Sequence, residues 1–223
     1  MREAVLLAVV IPTLNVARTL PLTLAALHAA HEIVVADGGS TDGTRQWARS
    51  AGALVITAPR GRGAQLAAGV AAARQPWILL LHADTTLGSG WAAAARAHIA
   101  NGPARAGYFR FALASADPRA RRLEWAVAWR CSLFGLPYGD QGLLIHRDLL
   151  RAVGGIRPLP LMEDVDLVCR LGRARLVALP AKAVTSAAKW ERDGWTRRSL
   201  RNLFCLSLWF AGVSPERIAR LYQ

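Results

Sequence analysis

The chain has 223 residues, just over half of them hydrophobic, and 28 Lys+Arg against 15 Asp+Glu give a formal charge of +13. That length suits one domain with a sizeable core, and the apolar content excludes a disordered chain. The positive excess, nearly all arginine, must attract an anion. The arginines are spread along the whole chain without a zinc-finger, RRM-like or helix-turn-helix signature, which argues against nucleic acid.

Cys131, Cys169 and Cys205 are odd in number and widely spaced. They form neither a metal-ligand pattern nor a disulfide framework, and they favour a reducing, cytoplasmic setting. The apolar run at 5–11 continues straight into Pro12 and a polar turn, unlike a secretory leader. The longest other apolar stretch, 203–213, is too short to span a bilayer.

In chain order, residues 4–11 are expected to form a first buried strand stopped by Pro12, with Asn15 capping a helix that runs to about residue 30. A second strand, 31–36, ends in Asp37-Gly-Gly-Ser-Thr-Asp-Gly-Thr44. Glycines there let the backbone approach a ligand, and Ser, Thr and Asp cap the next helix, 45–51. A third strand, 53–58, leads through Arg60-Gly-Arg-Gly63 into an Ala-rich helix ending near residue 73. Trp77-Ile-Leu-Leu-Leu-His-Ala-Asp84 is an unbroken apolar run that reads as a strand buried on both faces. Asp84 at its end either serves a ligand or caps a helix at 89–100.

Strands alternating with helices specify a parallel sheet wrapped by helices. Ligands bind outside the carboxyl ends of such strands. Three polar turns, 37–44, 60–63 and 82–88, share that edge, which points to a nucleotide site.

Beyond residue 102 the pattern changes. Residues 107–113 alternate like a strand with one exposed face. A helix at 118–133 carries Trp125 and Trp129 four apart, and a tight loop at 136–140 leads into a strand at 142–146. A short helix, 147–153, and a helix opening with Glu163, Asp164 and Asp166 follow, its acids favoured by the helix dipole. A last short strand is expected at 175–179, then two tail helices broken at 212–215. The tail's Arg197, Arg198 and Arg201 precede the apolar run 203–210. It has three open readings: packing on its own domain, pairing with a second copy as a homodimer, or lying on an anionic membrane at the inner face of the cell.

Four stretches in order resemble the family 2 glycosyltransferases, inverting nucleotide-sugar enzymes with the GT-A fold. They are Val9-Val-Ile-Pro-Thr-Leu-Asn15, the 37–44 turn, Leu81-His-Ala-Asp-Thr85 and Glu163-Asp-Val-Asp166. Gly139-Asp-Gln-Gly142 and Gly212-Val-Ser-Pro-Glu-Arg217 resemble a compact bacterial subgroup of that family. The resemblance implies an α/β, Rossmann-like, mainly parallel sheet flanked by helices, in one domain over 1–223. A nucleotide-sugar half runs to 102, an acceptor half covers 103–195, and a helical tail covers 196–223.

It further implies transfer of a sugar from a UDP- or GDP-sugar to an acceptor hydroxyl, the acceptor being a lipid or a small molecule. Pro12, Thr13, Asn15, Asp37, Gly39, Arg62 and Ala83 match positions around the nucleotide sugar. Asp84 matches the last acid of the family's metal motif, so Mg²⁺ or Mn²⁺ would stabilise the departing diphosphate as a Lewis acid. The motif's other acids are here His82 and Ala83, and His82 is read as a metal ligand or as structural. Asp164, with Glu163, matches the general base; its like-charged neighbours Glu163 and Asp166 are expected to raise its pKa. Asp140, Gln141, Lys189 and Trp190 match the acceptor side. Two rivals remain: a nucleotidyltransferase, disfavoured because Thr13-Leu-Asn-Val-Ala17 lacks a glycine- and lysine-containing loop, and a scaffold that has lost turnover.

Overall fold

The apolar runs of the first half form the parallel part of one eight-stranded sheet in a computed structural model that describes residues 5–222. β1 (Val5–Thr13), α1 (Leu20–Ala25), β2 (Ala30–Asp37), α2 (Thr44–Ser50), β3 (Leu54–Thr57), α3 (Arg62–Ala72) and β4 (Trp77–Leu80) make up this part. Then come β5 (Thr85–Leu87), α4 (Trp91–Ala100), β6 (Ala106–Ala114), α5 (Pro118–Phe134), β7 (Leu143–His146), α6 (Arg147–Ala152) and α7 (Glu163–Leu171). β8 (Leu176–Ser186), α8 (Ala188–Asp193), α9 (Trp195–Phe210) and α10 (Pro215–Tyr222) end the chain. The strand order is β3-β2-β1-β4-β7-β6-β8-β5. β1 to β4 run parallel, β7 is antiparallel to both β4 and β6, and β6 pairs parallel with β8.

Alternate residues of β1 feed two cores, one on each face. Leu7, Val9 and Ile11 pack with Leu20, Leu27 and Trp91, whereas Ala8 and Val10 pack with Val34, Leu66 and Ile78. Both faces of the central strands are therefore dry, as the unbroken apolar runs predict.

Several boundaries differ from expectation. Pro12 does not stop β1: it pairs with Ala36, and Thr13 pairs with Asp37. By then β4 has ended its pairing at Val10, so the missing proline N–H faces no ladder. The first helix is six residues rather than a run from Asn15 to residue 30, because the loop before it is tied to the loop after β2. β6 is buried except at Arg110 and Ala114, where one exposed face was expected; α5 covers it. β8 is 11 residues long, far beyond the expected 175–179, and pairs with a strand, β5, that falls where a turn was expected. Asp84 caps nothing: α4 begins at Trp91 behind Gly90.

Two glycines let α3 sit close. A Cβ on Gly69 would lie 2.3 Å from Val10 Cγ1. One on Gly63 would meet only backbone, Arg157 O at 2.5 Å and Leu159 N and O at 2.7 Å. Backbone cannot swing aside as a side chain can, so Gly63→Ala is expected to destabilise the protein by about 1–3 kcal/mol. A chemical-denaturation midpoint equal to wild type would contradict this packing.

No helix among the described residues is long and apolar enough to cross a membrane. α9 nevertheless leaves Leu200, Leu203, Phe204 and Phe210 exposed along one stripe, and α5 leaves Trp125 and Trp129 exposed.

Candidate functional site

The site begins where β1 and β2 end side by side. Asp37 is fully buried, and its carboxylate is consumed by the turn that follows it. Oδ1 accepts from Thr13 Oγ1 (3.1 Å) and Ser40 Oγ, and Oδ2 accepts from the backbone N–H of Gly39 (3.1 Å) and Ser40 (2.9 Å) and from Arg45 Nε. Burial opposes ionisation, but the bonds from Ser40 and Arg45 prevail and hold its pKa down at about 2. Asn15 does the matching work from the other loop. It has φ +53°, donates its N–H to Ser40 Oγ and accepts from Thr41 N–H on Oδ1, both at 2.9 Å. Asn15 is thus a clasp between two loops and not a helix cap, while Asp37 is an internal strut.

Gln65, which sequence reasoning passed over, donates Nε2–H to the carbonyls of Thr13 (2.7 Å) and Ala36 (2.8 Å). Its side chain lies 3.1 Å from where a Cβ on Gly38 would stand. This accounts for the glycine where the resembled family often has a second acid.

At the end of β4 the chain turns through His82, Ala83 and Asp84. The Ala83 carbonyl accepts from Thr23 Oγ1 at 3.0 Å, and the Asp84 carbonyl accepts Ser186 N–H at 3.1 Å. Asp84 Oδ2 accepts from Lys189 Nζ at 3.0 Å; burial opposes its charge, but the Lys189 ammonium lowers its pKa. Burial, with Arg62, drives the His82 pKa down to about 4, so the ring is neutral. The ring packs on Gly139, where a Cβ would fall 2.4 Å from His82 Nε2. Among the described residues no group of three or more His, Cys, Asp or Glu side chains converges to hold a metal ion.

The acids of the second half divide into different roles. Asp164 Oδ2 accepts Gly139 N–H and Oδ1 accepts Val165 N–H, each at 2.8 Å. Burial penalises its charge, but Arg62 and these bonds win and lower its pKa. The expected upward shift is therefore corrected. Asp166 faces away, bonded to Arg157 (3.0 Å) and Arg170, and the raised pKa belongs to Glu163. Glu163 is 1% exposed, beside a small apolar void lined by Leu66, Leu80 and Leu167. Arg62 Nε lies 3.0 Å from its Oε1, yet neither oxygen receives a directed hydrogen bond. Burial pushes its pKa up to about 7, against the pull of Arg62. Asp140, in the short 3₁₀ turn Gly139–Gln141, is likewise raised by burial to about 6. Gln141, expected on the acceptor side, is turned into the core: Nε2 donates to the Phe109 carbonyl and Oε1 accepts from Cys131 and Tyr138.

Two cavities meet here. One follows the strand ends and is lined by Pro12, Thr13, Arg60, Arg62, Gln65 and Asp84 among others. The second, about 140 Å³, is lined by Tyr138, Asp140, Asp164, Trp190, Arg198 and Asn202 among others. Arg62, His82, Asp84 and Lys189 belong to both. Gly39 is exposed at the tip of its turn. Arg198, read in the sequence only as part of a basic stretch before an apolar one, and Asn202, not singled out there, both line the second cavity; nothing in the α9 sequence marks which face turns inward.

The family model described as glycosyl transferase family 2 matches residues 8–147. An 83-residue segment is 41% identical to an uncharacterized glycosyltransferase of Mycobacterium tuberculosis, covering 37% of this chain and only 38% of that relative. Among solved structures, glucosyl-3-phosphoglycerate synthase from Mycobacterium tuberculosis in complex with Mn²⁺ and UDP-glucose superposes with a TM-score of 0.56 at 19% identity, over 83% of this chain and 70% of that one. S. aureus TarS 1–349 gives 0.59 at 16% identity, over 80% and 57%. At such identities the likeness is one of fold.

Proposed function

Because the chain belongs to glycosyl transferase family 2, we propose that it moves a sugar from a nucleotide-diphosphate donor to an acceptor hydroxyl with inversion at the anomeric carbon. The observation that carries this reading is the meeting of two cavities at Arg62, His82, Asp84 and Lys189. The donor occupies the cleft along the strand ends, with the clasped loops at Thr13–Asn15 and Asp37–Thr44 facing the nucleoside through their backbone. Arg62 and Lys189 meet the negative charge that grows on the diphosphate as it leaves.

The acceptor enters from the second cavity. Its oxygen bonds to the anomeric carbon while the bond from that carbon to the diphosphate oxygen breaks, and Asp164 takes the hydroxyl proton. A carboxylate already ionised, and fixed by two backbone N–H groups, is ready for that proton without moving. Glu163 is too buried to touch substrate and instead steers Arg62. The family match sets aside the nucleotidyltransferase alternative. An intact Asp164 environment counts against a scaffold that has lost turnover.

The similar synthase structure holds Mn²⁺ with UDP-glucose. Here one carboxylate, Asp84, fits a divalent ion only if the donor's phosphate oxygens complete the shell. Bound in that way, the ion supplies Lewis-acid stabilisation of the leaving diphosphate. Lys189 shares the same Asp84 oxygen and competes for it.

Calorimetry with UDP, GDP and dTDP, with and without Mn²⁺, tests this reading on wild type and Asp84→Asn. One nucleotide is expected to bind, more tightly with Mn²⁺, and the variant to lose the metal's gain. No binding of any nucleotide under either condition would sink the donor assignment.

A further inference from the structure

Among the described residues, eight buried side-chain polar atoms lack a hydrogen-bond partner, and five of them sit on residues lining the second cavity. They are Tyr138 Oη, Asp140 Oδ1, Trp190 Nε1, Arg198 Nε and Asn202 Oδ1. Buried polar groups are normally paired, so such a concentration marks a surface built to receive a polar molecule. About 140 Å³ is room for on the order of ten water-sized groups.

The unpaired groups differ by element. Arg198 Nε and Trp190 Nε1, from α9 and α8, are donors only and are met only by an acceptor atom. Both residues are more than nine-tenths buried. Arg198 is held rigidly: Nη1 donates to Asp193 Oδ2 at 2.7 Å, Nη2 donates to Tyr222 Oη at 2.9 Å, and its guanidinium lies 5.2 Å from the Trp190 ring. Asp193 is also shared by Arg192 and Arg201, so three guanidiniums surround one carboxylate. Of these three only Arg198 lines the cavity, and Arg192 is mostly exposed. A phosphate oxygen can accept from both unmet donors, one of them on a charged guanidinium. The acids Asp84, Asp140 and Asp164 come from the β4 end, the 139–141 turn and α7, and Asp140 Oδ1 is an acceptor that takes a hydroxyl.

We propose that the acceptor carries a phosphate that seats on Arg198 Nε and Trp190 Nε1, with its accepting hydroxyl toward Asp140 and Asp164. This rests on the glycosyltransferase reading and adds the acceptor's chemical class. The phosphate belongs either to a small soluble ester or to a lipid headgroup; the exposed apolar stripe of α9, on the helix that bears Arg198, is the surface a lipid would use.

The probe is inorganic phosphate, titrated by calorimetry into the whole chain with the donor cleft saturated by whichever nucleoside diphosphate binds. Wild type is compared with Arg198→Gln and Trp190→Phe; the second keeps the ring that packs on Phe111 and so guards against a folding artefact. Phosphate affinity is expected to fall about tenfold or more in Arg198→Gln and severalfold in Trp190→Phe, with nucleotide affinity unchanged. Equal phosphate binding by all three proteins, or none by wild type, overturns the proposal. If no nucleotide binds, the donor reading fails, and the same comparison without nucleotide still judges the phosphate seat.

A soluble alkyl phosphate monoester and phosphatidylcholine vesicles bearing phosphatidic acid then compete with inorganic phosphate. Displacement by the vesicles assigns a lipid headgroup, and displacement by the soluble ester alone assigns a free phosphate ester. Displacement by neither removes the acceptor role.

Discussion

Asp164→Asn is expected to lower kcat by about 10²–10⁴-fold, the usual worth of a positioned general base, while nucleotide binding persists. Asparagine keeps the size of the side chain but cannot take a proton. Its amide must also turn an NH₂ toward Gly139 N–H or Val165 N–H, both donors, so the folded state loses one of the two bonds that fix this side chain. A thermal melt beside the kinetics separates that loss from the loss of chemistry.

The pH profile gives an independent reading. A base must be deprotonated, so kcat/KM falls as pH drops through its pKa. With Asp164, whose pKa is lowered by Arg62 and its backbone bonds against burial, the acid limb lies below the ordinary carboxylate range. Asp140 is raised to about 6 by burial, and its Oδ1 has no partner. An acid limb near pH 6, abolished by Asp140→Asn, would move the base to Asp140.

Glu163→Gln is expected to remove much of the protein's loss of stability between pH 5 and pH 8. A carboxyl whose pKa is raised from 4.5 to about 7 in the folded state binds its proton more tightly there than when unfolded. Its contribution is complete below pH 4.5 and is lost as pH rises through 7. The gap is worth about 3 kcal/mol at full ionisation, or about 6–12 °C in Tm for a chain of this size. Asp140 acts in the same sense with a smaller gap, lost as pH rises through 6. Glutamine carries no charge to desolvate at any pH, so the variant should melt above wild type at pH 8 and near it at pH 5. Parallel melting curves for the two proteins across that range would show that Glu163 is not buried as described.

The strands of the first half were legible because each is a short apolar run, buried on both faces in the central β1 and β4, a pattern that survives without tertiary context. β5 and β8 were not. Thr85-Thr86-Leu87 is too short and polar to signal a strand, and only pairing with Ala183–Thr185 makes it one. β8 is interrupted in sequence by Pro180 and Lys182, yet its alternation of buried and exposed positions runs on to Ser186. The expected first helix was too long because an Ala- and Leu-rich run favours helix locally, whereas bonds from Val16 N–H to Thr44 and Ala17 N–H to Asp42 hold its start to another loop.

At the site, Asp84, Asp164, Arg62 and Lys189, singled out by motif position, all line the second cavity. Motif positions could not distinguish a side chain facing the cavity from one facing inward. Asp37 and Gln141 look like contact residues in sequence and are internal struts in the fold. Arg198 and Asn202 look like ordinary tail residues and line the cavity. Orientation of that kind is decided in part by partners distant in sequence, Thr13 for Asp37, Phe109 for Gln141 and Tyr222 for Arg198.

The pairing of β5 with β8 sets the order in which the molecule can be completed during synthesis. Thr85 and Thr185 are 100 positions apart, and β8 is the only strand beside β5 among the described residues. On a ribosome, β1 to β4 can assemble once the first 80 or so residues have emerged. Asp84 must wait for the Ser186 N–H to donate to its carbonyl and for Lys189 to balance its carboxylate. Pairings that close so long a loop form late. A nascent chain halted before residue 176 therefore bears an open β6 edge and an unpaired β5, the kind of exposed strand that invites association with other chains. The edge where donor and acceptor would meet is the last part of the protein to be built.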